Sequence, residues 1–178
     1  MSHAPEEDQG AKAFGLGQVA MTKDELKAYI AERYTDKMTL LDTGRYDPMF
    51  LIKGEDLRSV AQSLRDDQNL KFDFLCNMGG VDTKQGFEVV YSIASVTNRL
   101  RLDFKFKMPY ENAEIVSLQD IWPALNWYER EIWELYGINV KDHGNLKRFL
   151  LPDDWNQGYP MRKDWDAPDF IRLPEFGA

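Results

Sequence analysis

The side chains able to do redox or nucleophilic chemistry are few, and they stand apart. Cys76 is the only cysteine in 178 residues, so the chain can close no internal disulfide and cannot alone hold an iron–sulfur cluster or a structural zinc. His3 and His143 are the only histidines and lie far apart in the chain, which excludes HExxH and paired-histidine metal sites. His143 has no candidate nucleophile beside it and reads as a structural histidine, bonded to a carboxylate or a backbone carbonyl in the turn before Leu146. Asp153 and Asp154 could offer oxygens to a hard cation, but their spacing matches no EF-hand and they read as solvated acids. Glu129 or Asp153 could serve as the base of a small stand-alone hydrolase, yet no paired nucleophile or cofactor loop accompanies either. There is no phosphate loop and no nucleophile elbow. The one GxG, Gly15 to Gly17, lacks both the preceding strand and the third glycine. Cys76 sits in an apolar run and reads as a small core residue.

Charge narrows the classes further. Thirty acidic against 22 basic residues give a formal net charge of -8, which repels phosphate backbones and argues against a general nucleic-acid binder. No run of about 18 apolar residues occurs, and the first ten residues are acidic and polar where a signal peptide needs positive charge and then an apolar stretch. A lone thiol suits a reducing compartment.

The elements that must position these residues divide the chain into three parts. Residues 1–20 carry glycine, proline and acids with no sustained apolar period and read as a flexible leader. Residues 21–151 read as one α+β domain. Thr22 with Glu25 makes a capping box for a helix with Leu26, Tyr29, Ile30 and Tyr34 on one face. Strands are expected at 38–43 and 48–53 around Gly44, then a helix carrying Leu57, Val60, Ala61 and Leu64. Three more strands follow at 72–76, 86–95 and 99–107, the last two joined at Thr97 and Asn98. In the final one Leu100, Leu102, Phe104 and Phe106 alternate with Arg99, Arg101, Asp103, Lys105 and Lys107, so one side packs while the other is wet, salt-bridged or docked. The expected architecture is a two-layer sandwich: a mixed or antiparallel sheet with helices packed on it, plus an extended C-terminal tail.

After residue 108 the composition changes: all five tryptophans and six of the eight prolines lie there. Asn126 with Glu129 resembles a second capping box for a helix ending at Gly137, with Leu125, Tyr128, Ile132, Leu135 and Tyr136 inward. Glu129 falls at the margin of that face, partly buried and in need of a cationic partner, while Glu131 and Glu134 point outward. Residues 152–178 show no period, yet include Trp155, Tyr159, Trp165, Phe170 and Phe176. So aromatic a tail is suited to lie on another protein; the alternative is that it wraps over its own domain.

The stretch 122–138 (WPALNWYEREIWELYGI), followed by 143–151 (HGNLKRFLL) and 158–165 (GYPMRKDW), resembles a known family. It is similar to the C-type, or thirty-kilodalton, subunit of respiratory complex I, NADH:quinone oxidoreductase. The match runs through Glu129, Arg130, Glu131, Glu134, Leu135, Tyr136, His143, Lys147 or Arg148, and Leu150. It is tight over 122–165 and upstream extends only to the order of elements. Gly144 and Tyr159 stand where members more often carry proline and histidine.

The resemblance implies a subunit of the peripheral arm with no cofactor of its own and no active site in the isolated chain. Flavin and iron–sulfur clusters are then expected in partner subunits, and the partners would be the hydrogenase-like large (D-type) subunit and the cluster-bearing small (B-type) subunit. The complex would sit at the cytoplasmic face of the inner membrane, coupling electron transfer to quinone with proton translocation. A homologous place in a ferredoxin-linked complex or a membrane-bound hydrogenase is the alternative. In this setting Glu129, Arg130 and Glu131 are expected to form a charged knot, with Glu134, His143, Arg148 and Tyr159 as further structural positions. Arg162, Lys163, Asp164 and Trp165 are expected to anchor the tail, with Trp165 as its hot spot.

Overall fold

Residues 21–44, 47–169 and 171 are described by the structure, a computed structural model. The expected leader and the last residues of the tail lie outside them. Thr22 opens helix α1 (Lys23–Arg33) through the reciprocal bonds its sequence implies: the Thr22 hydroxyl accepts from the Glu25 amide, and the Glu25 carboxylate accepts from the Thr22 amide at 2.7 Å. Short strands β1 (Met38–Leu41) and β2 (Met49–Ile52) pair antiparallel, and a single 3-10 turn at Gly54–Asp56 leads into α2 (Leu57–Asp66).

Three long strands follow: β3 (Phe74–Asp82), β4 (Phe87–Ser95) and β5 (Leu100–Met108). With β1 and β2 they make one five-stranded mixed sheet in the order β1-β2-β5-β4-β3, where only the β2–β5 pair is parallel. The third strand of the chain runs well past the 72–76 expected for it, because Gly79 and Gly80 lie inside the strand, after an irregularity between Leu75 and Asn77. β3 is thereby an edge strand nine residues long.

The register sets Met78, Tyr91, Phe104 and Phe50 in one row across four strands, all buried. Helices α1 and α2 add Leu26, Ile30, Leu57, Val60, Ala61 and Leu64 to the same cluster. The alternation foreseen in β5 holds except at Asp103, which is buried and accepts a bond from the Ser92 hydroxyl at 2.6 Å. On the opposite face Lys105 and Lys107 both pair with Glu88, at 2.7 and 3.2 Å.

The C-terminal part adds β6 (Glu114–Val116), α3 (Leu125–Tyr136) and β7 (Asn139–Lys141), with β6 and β7 forming a parallel two-stranded sheet that periodicity did not reveal. Three residues are too few for a pattern to show. Trp122, 1% exposed, locks this part onto the first by donating from its indole to the Phe72 carbonyl at 2.8 Å. Helix α3 leans on β3, where Gly80 leaves room for it: a Cβ there would stand 3.1–3.2 Å from Tyr136 and Ile132. The helix ends at Gly137 (φ 72), as its sequence implies.

The tail does not stand away from the domain. The Met161 amide donates to the Leu135 carbonyl at 3.1 Å, and the Lys163 amide to the Asp82 carboxylate at 2.8 Å. The described part of the tail therefore wraps over its own domain at the C-terminal end of α3.

Candidate interaction site on the third helix

Helix α3 carries three charged side chains that are buried, and each is held by a different set of groups. Glu129 is fully buried. It accepts from the Ser117 hydroxyl at 2.6 Å and from the Leu118 amide at 2.7 Å, so its partners are a hydroxyl and a backbone N–H instead of the cation expected. The capping box with Asn126 does not form, because this carboxylate is turned inward and Asn126 donates to Gln119. Burial pushes the Glu129 pKa up to about 7, against the pull of those two donors.

His143 faces the same carboxyl, with 3.8 Å between Nε2 and Oε2. It is not an ion pair. The Nδ1 atom accepts from the Asn145 amide at 3.0 Å, so Nε2 carries the proton and donates to the Asn126 carbonyl at 3.1 Å. Burial lowers its pKa, and the ring is neutral. Both ring nitrogens are thus engaged by backbone groups of Asn126 and Asn145. The Tyr91 hydroxyl is sealed nearby with no hydrogen-bond partner, and burial pushes its pKa well up.

Arg130 and Glu134 together hold the segment 147–151 against the helix. Arg130, 3% exposed, donates from Nε to the Lys147 carbonyl at 2.6 Å and from a terminal nitrogen to the Arg148 carbonyl at 3.1 Å. Its guanidinium lies against the rings of both Trp127 and Phe149, 4.9 and 4.6 Å from their centroids. One turn on, the Glu134 carboxylate receives three successive amides, those of Phe149, Leu150 and Leu151, at 3.0–3.4 Å. Three N–H groups converging on one carboxylate form an anion nest. Glu134 is thus buried instead of pointing outward. Glu131 is half-buried, and burial followed by the Glu134 charge raises its pKa. Glu129, Arg130 and Glu131 do not meet in a knot; the helix sends their side chains to separate places.

The tail residues divide by what they touch. Arg162 donates from Nε to the Tyr136 carbonyl at 2.6 Å and lies 4.5 Å from the Tyr159 ring centroid, which places a cation on the C-terminal end of α3. A Cβ on Gly137 would strike Tyr159 at 2.5 Å, so the same glycine that ends the helix admits the tail. Lys163 contributes through its amide to Asp82, whose carboxylate also receives the Tyr110 hydroxyl and the Lys84 amide. Burial opposes ionisation of Asp82, but these bonds outweigh it and hold the pKa below its usual value. Arg148 donates to the Asp153 carbonyl at 3.1 Å. Trp165 bonds the Gln157 carbonyl and packs on Trp155, 6.2 Å between centroids, inside the tail. Asp164 is exposed.

Sequence reasoning missed Asp82, Trp127 and Phe149. Their signal is spatial: Asp82 is 81 residues from the amide it holds, and Phe149 stacks edge-on to Trp127 at 5.2 Å only once the strap has folded. Trp127, Phe149, Leu150, Tyr159 and Met161 remain exposed along this side of the molecule. Among the described residues no group of three or more His, Cys, Asp or Glu side chains could hold a metal ion, and no helix is long and apolar enough to cross a membrane.

Residues 50–170 match the family described as respiratory-chain NADH dehydrogenase, 30 Kd subunit. The chain belongs to that family. The matched span contains every charged contact of α3 described above. A Roseiflexus protein, named as the C-type subunit of an NADH-quinone oxidoreductase, is 42% identical over 123 residues, 67% of this chain and 70% of the relative. Its counterpart in Chloroherpeton thalassium is 36% identical over 82% of this chain and 62% of its own length. The chain thus spans roughly two-thirds of the length of these curated relatives. A Methanosarcina mazei protein, named as the corresponding subunit of an F(420)H(2) dehydrogenase, is 44% identical over 56% of this chain and 64% of its own. Among solved structures, a chain of the archaeal membrane-bound sulfane sulfur reductase has a TM-score of 0.69 at 23% identity, covering 82% of this chain and 86% of that one. A trypsin-resistant fragment of Nqo5 has a TM-score of 0.58 at 22% identity, covering 68% and 98%. Both share the fold, and the members named for NADH-quinone oxidoreductase place this family in quinone-linked electron transport.

Proposed function

We propose that this chain is a scaffold subunit, without cofactor or active site of its own, in the peripheral arm of a complex I-type quinone oxidoreductase. It docks against a hydrogenase-like large subunit and a cluster-bearing small subunit, and the flavin and iron–sulfur clusters reside in its partners. The complex couples electron transfer to quinone with proton translocation at the cytoplasmic face of the inner membrane. One observation carries this reading: Glu129, Arg130 and Glu134, the buried charges of the signature helix, are all engaged by backbone and hydroxyl groups of this chain. None is left to act on a substrate. Beside them the exposed aromatic and aliphatic groups Trp127, Leu150, Tyr159 and Met161 are of the kinds that anchor protein interfaces. Relatives of similar identity are named for NADH and for F420H2.

The test uses exposed positions, because cutting the tail after Leu151 would strip Leu135, Tyr136 and Asp82 of partners and confuse folding with docking. The tagged full-length chain is purified from gently solubilised membranes of its own host and its companions identified by mass spectrometry. The expected companions are hydrogenase-like and cluster-binding subunits. Leu150→Asp with Met161→Asp is expected to cut their recovery about tenfold while the chain's own melting temperature stays within about 2 °C. Recovery of the wild-type chain alone overturns the scaffold reading.

A further inference from the structure

The two edges of the main sheet are treated very differently. β1 is four residues long, as short edge strands usually are. β3 exposes a nine-residue edge, FLCNMGGVD, with no lysine, no arginine and no proline to deter strand pairing, and its one irregularity lies near its start, between Leu75 and Asn77. Its one carboxylate, Asp82, is turned inward and bonded to Tyr110, Lys84 and Lys163.

The register fixes which side chains of β3 face away from the core. Val89, Tyr91 and Ile93 of β4 are buried, so their alternates Glu88, Val90, Ser92 and Ala94 face the other side. Opposite these stand Val81, Gly79, Asn77 and Phe74. Among them Phe74 is 53% exposed and Val81 44%, and Gly79 lies between. Among the described residues nothing requires a glycine at position 79. Its φ is not positive, and a Cβ built on it meets nothing within 4 Å. Glycine weakens a strand interior and marks a place where another backbone or a large side chain comes close. Gly80 is explained by Ile132 and Tyr136; no described residue explains Gly79 in this way.

We propose that the free edge of β3 takes up an extended segment of a neighbouring subunit as a sixth strand, with a bulky uncharged side chain of that segment lying over Gly79. The flanking Phe74, Val81, Val90 and Ala94 are apolar, which selects an uncharged complement, and a large side chain beside a strand glycine restores the packing the glycine lacks. Backbone pairing gives the affinity and the gap at Gly79 the selectivity. This proposal rests on the scaffold reading in that the occupant is another subunit of the complex; the surface itself is distinct from the α3 side.

The experiment compares the wild-type chain, Gly79→Val and Gly80→Val, each as the full chain and within the purified complex. Free Gly79→Val is expected to melt at the wild-type temperature or above, since valine suits an open strand position, whereas Gly80→Val melts lower because its side chain meets α3. In the complex, Gly79→Val is recovered about tenfold less, and hydrogen exchange of the 74–82 amides in the wild-type complex slows at least about tenfold relative to the free chain. If 74–82 exchange equally fast in both states while the companions are present, strand addition is overturned and the scaffold reading survives. Recovery of the wild-type chain without companions overturns both. A dimer of the free chain by light scattering, with 74–82 already protected, overturns the heterologous partner in favour of a second copy.

Discussion

Glu129 and His143 face each other across 3.8 Å and titrate in opposite senses. Burial raises the Glu129 carboxyl from 4.5 to about 7, so the folded chain keeps a proton that the unfolded chain has released. Stability from this group is complete below about pH 4.5 and is lost as pH rises to about 7, a change on the order of 3 kcal/mol. His143 is held below 6.5, so the unfolded chain takes up its proton first and stability falls as pH drops through that value. In the wild-type chain the two trends offset. Glu129→Gln keeps an acceptor for the Leu118 amide but removes the titration, so its stability climbs from pH 5 to pH 8 relative to wild type by on the order of 3 kcal/mol. Urea unfolding of both chains at pH 5, 6.5 and 8 checks this; a constant gap at every pH rules it out. The burial of Glu129 was legible from its place on the helical face. Its partners were not, because Ser117 and Leu118 come from a loop whose position depends on the whole fold.

Helix α3 works as a spine, and two of its charged side chains, Arg130 and Glu134, complement the two kinds of backbone group in one strap. Arg130 takes the carbonyls of Lys147 and Arg148, and Glu134 takes the amides of Phe149, Leu150 and Leu151. A helical wheel places Glu134 on the wet side, correctly for an isolated helix. It is buried only because 147–151, a segment with no period of its own, folds over it. Neutralising the nest is the informative change. Glu134→Gln leaves a single acceptor oxygen and sets an NH2 donor against N–H groups, so a loss of about 1–3 kcal/mol is expected, with faster proteolysis confined at first to the strap. Arg130→Lys cannot bond both carbonyls through one planar group or lie flat against Trp127 and Phe149, and should cost about as much. Denaturant unfolding with limited proteolysis checks both; unchanged stability with an intact strap contradicts this account. The helix and its glycine stop were legible, since period and C-cap are local. The tail's docking was not, since Gly137 shows its second role only against Tyr159.

At the scale of the molecule, the composition suggests two pieces and the packing makes one. Every tryptophan and most prolines fall after residue 108, yet Trp122, Leu125, Ile132 and Ile138 belong to the same buried cluster as Leu26, Leu57, Phe50 and Phe104. Trp122 is the joint: its ring lies 6.4 Å from Phe104, and its indole N–H reaches the Phe72 carbonyl ahead of β3. The two-layer α+β class was legible because alternation in β4 and β5 assigns one face of the sheet to the core. The order β1-β2-β5-β4-β3 was not, since nothing local tells β2 to run parallel beside β5. A single core sets up a direct expectation. Tryptophan fluorescence reports only the last third of the chain, while far-ultraviolet circular dichroism is weighted by the sheet, α1 and α2. If one core unites them, the two signals lose structure together, with midpoints agreeing within about 0.2 M urea and one m-value. Trp122→Phe keeps most of the packing but leaves the Phe72 carbonyl unbonded, so both midpoints should fall together by the equivalent of about 1–3 kcal/mol. Fluorescence melting ahead of circular dichroism in the wild-type chain would instead make the C-terminal third a separate cooperative unit, held to the sheet too weakly for one transition.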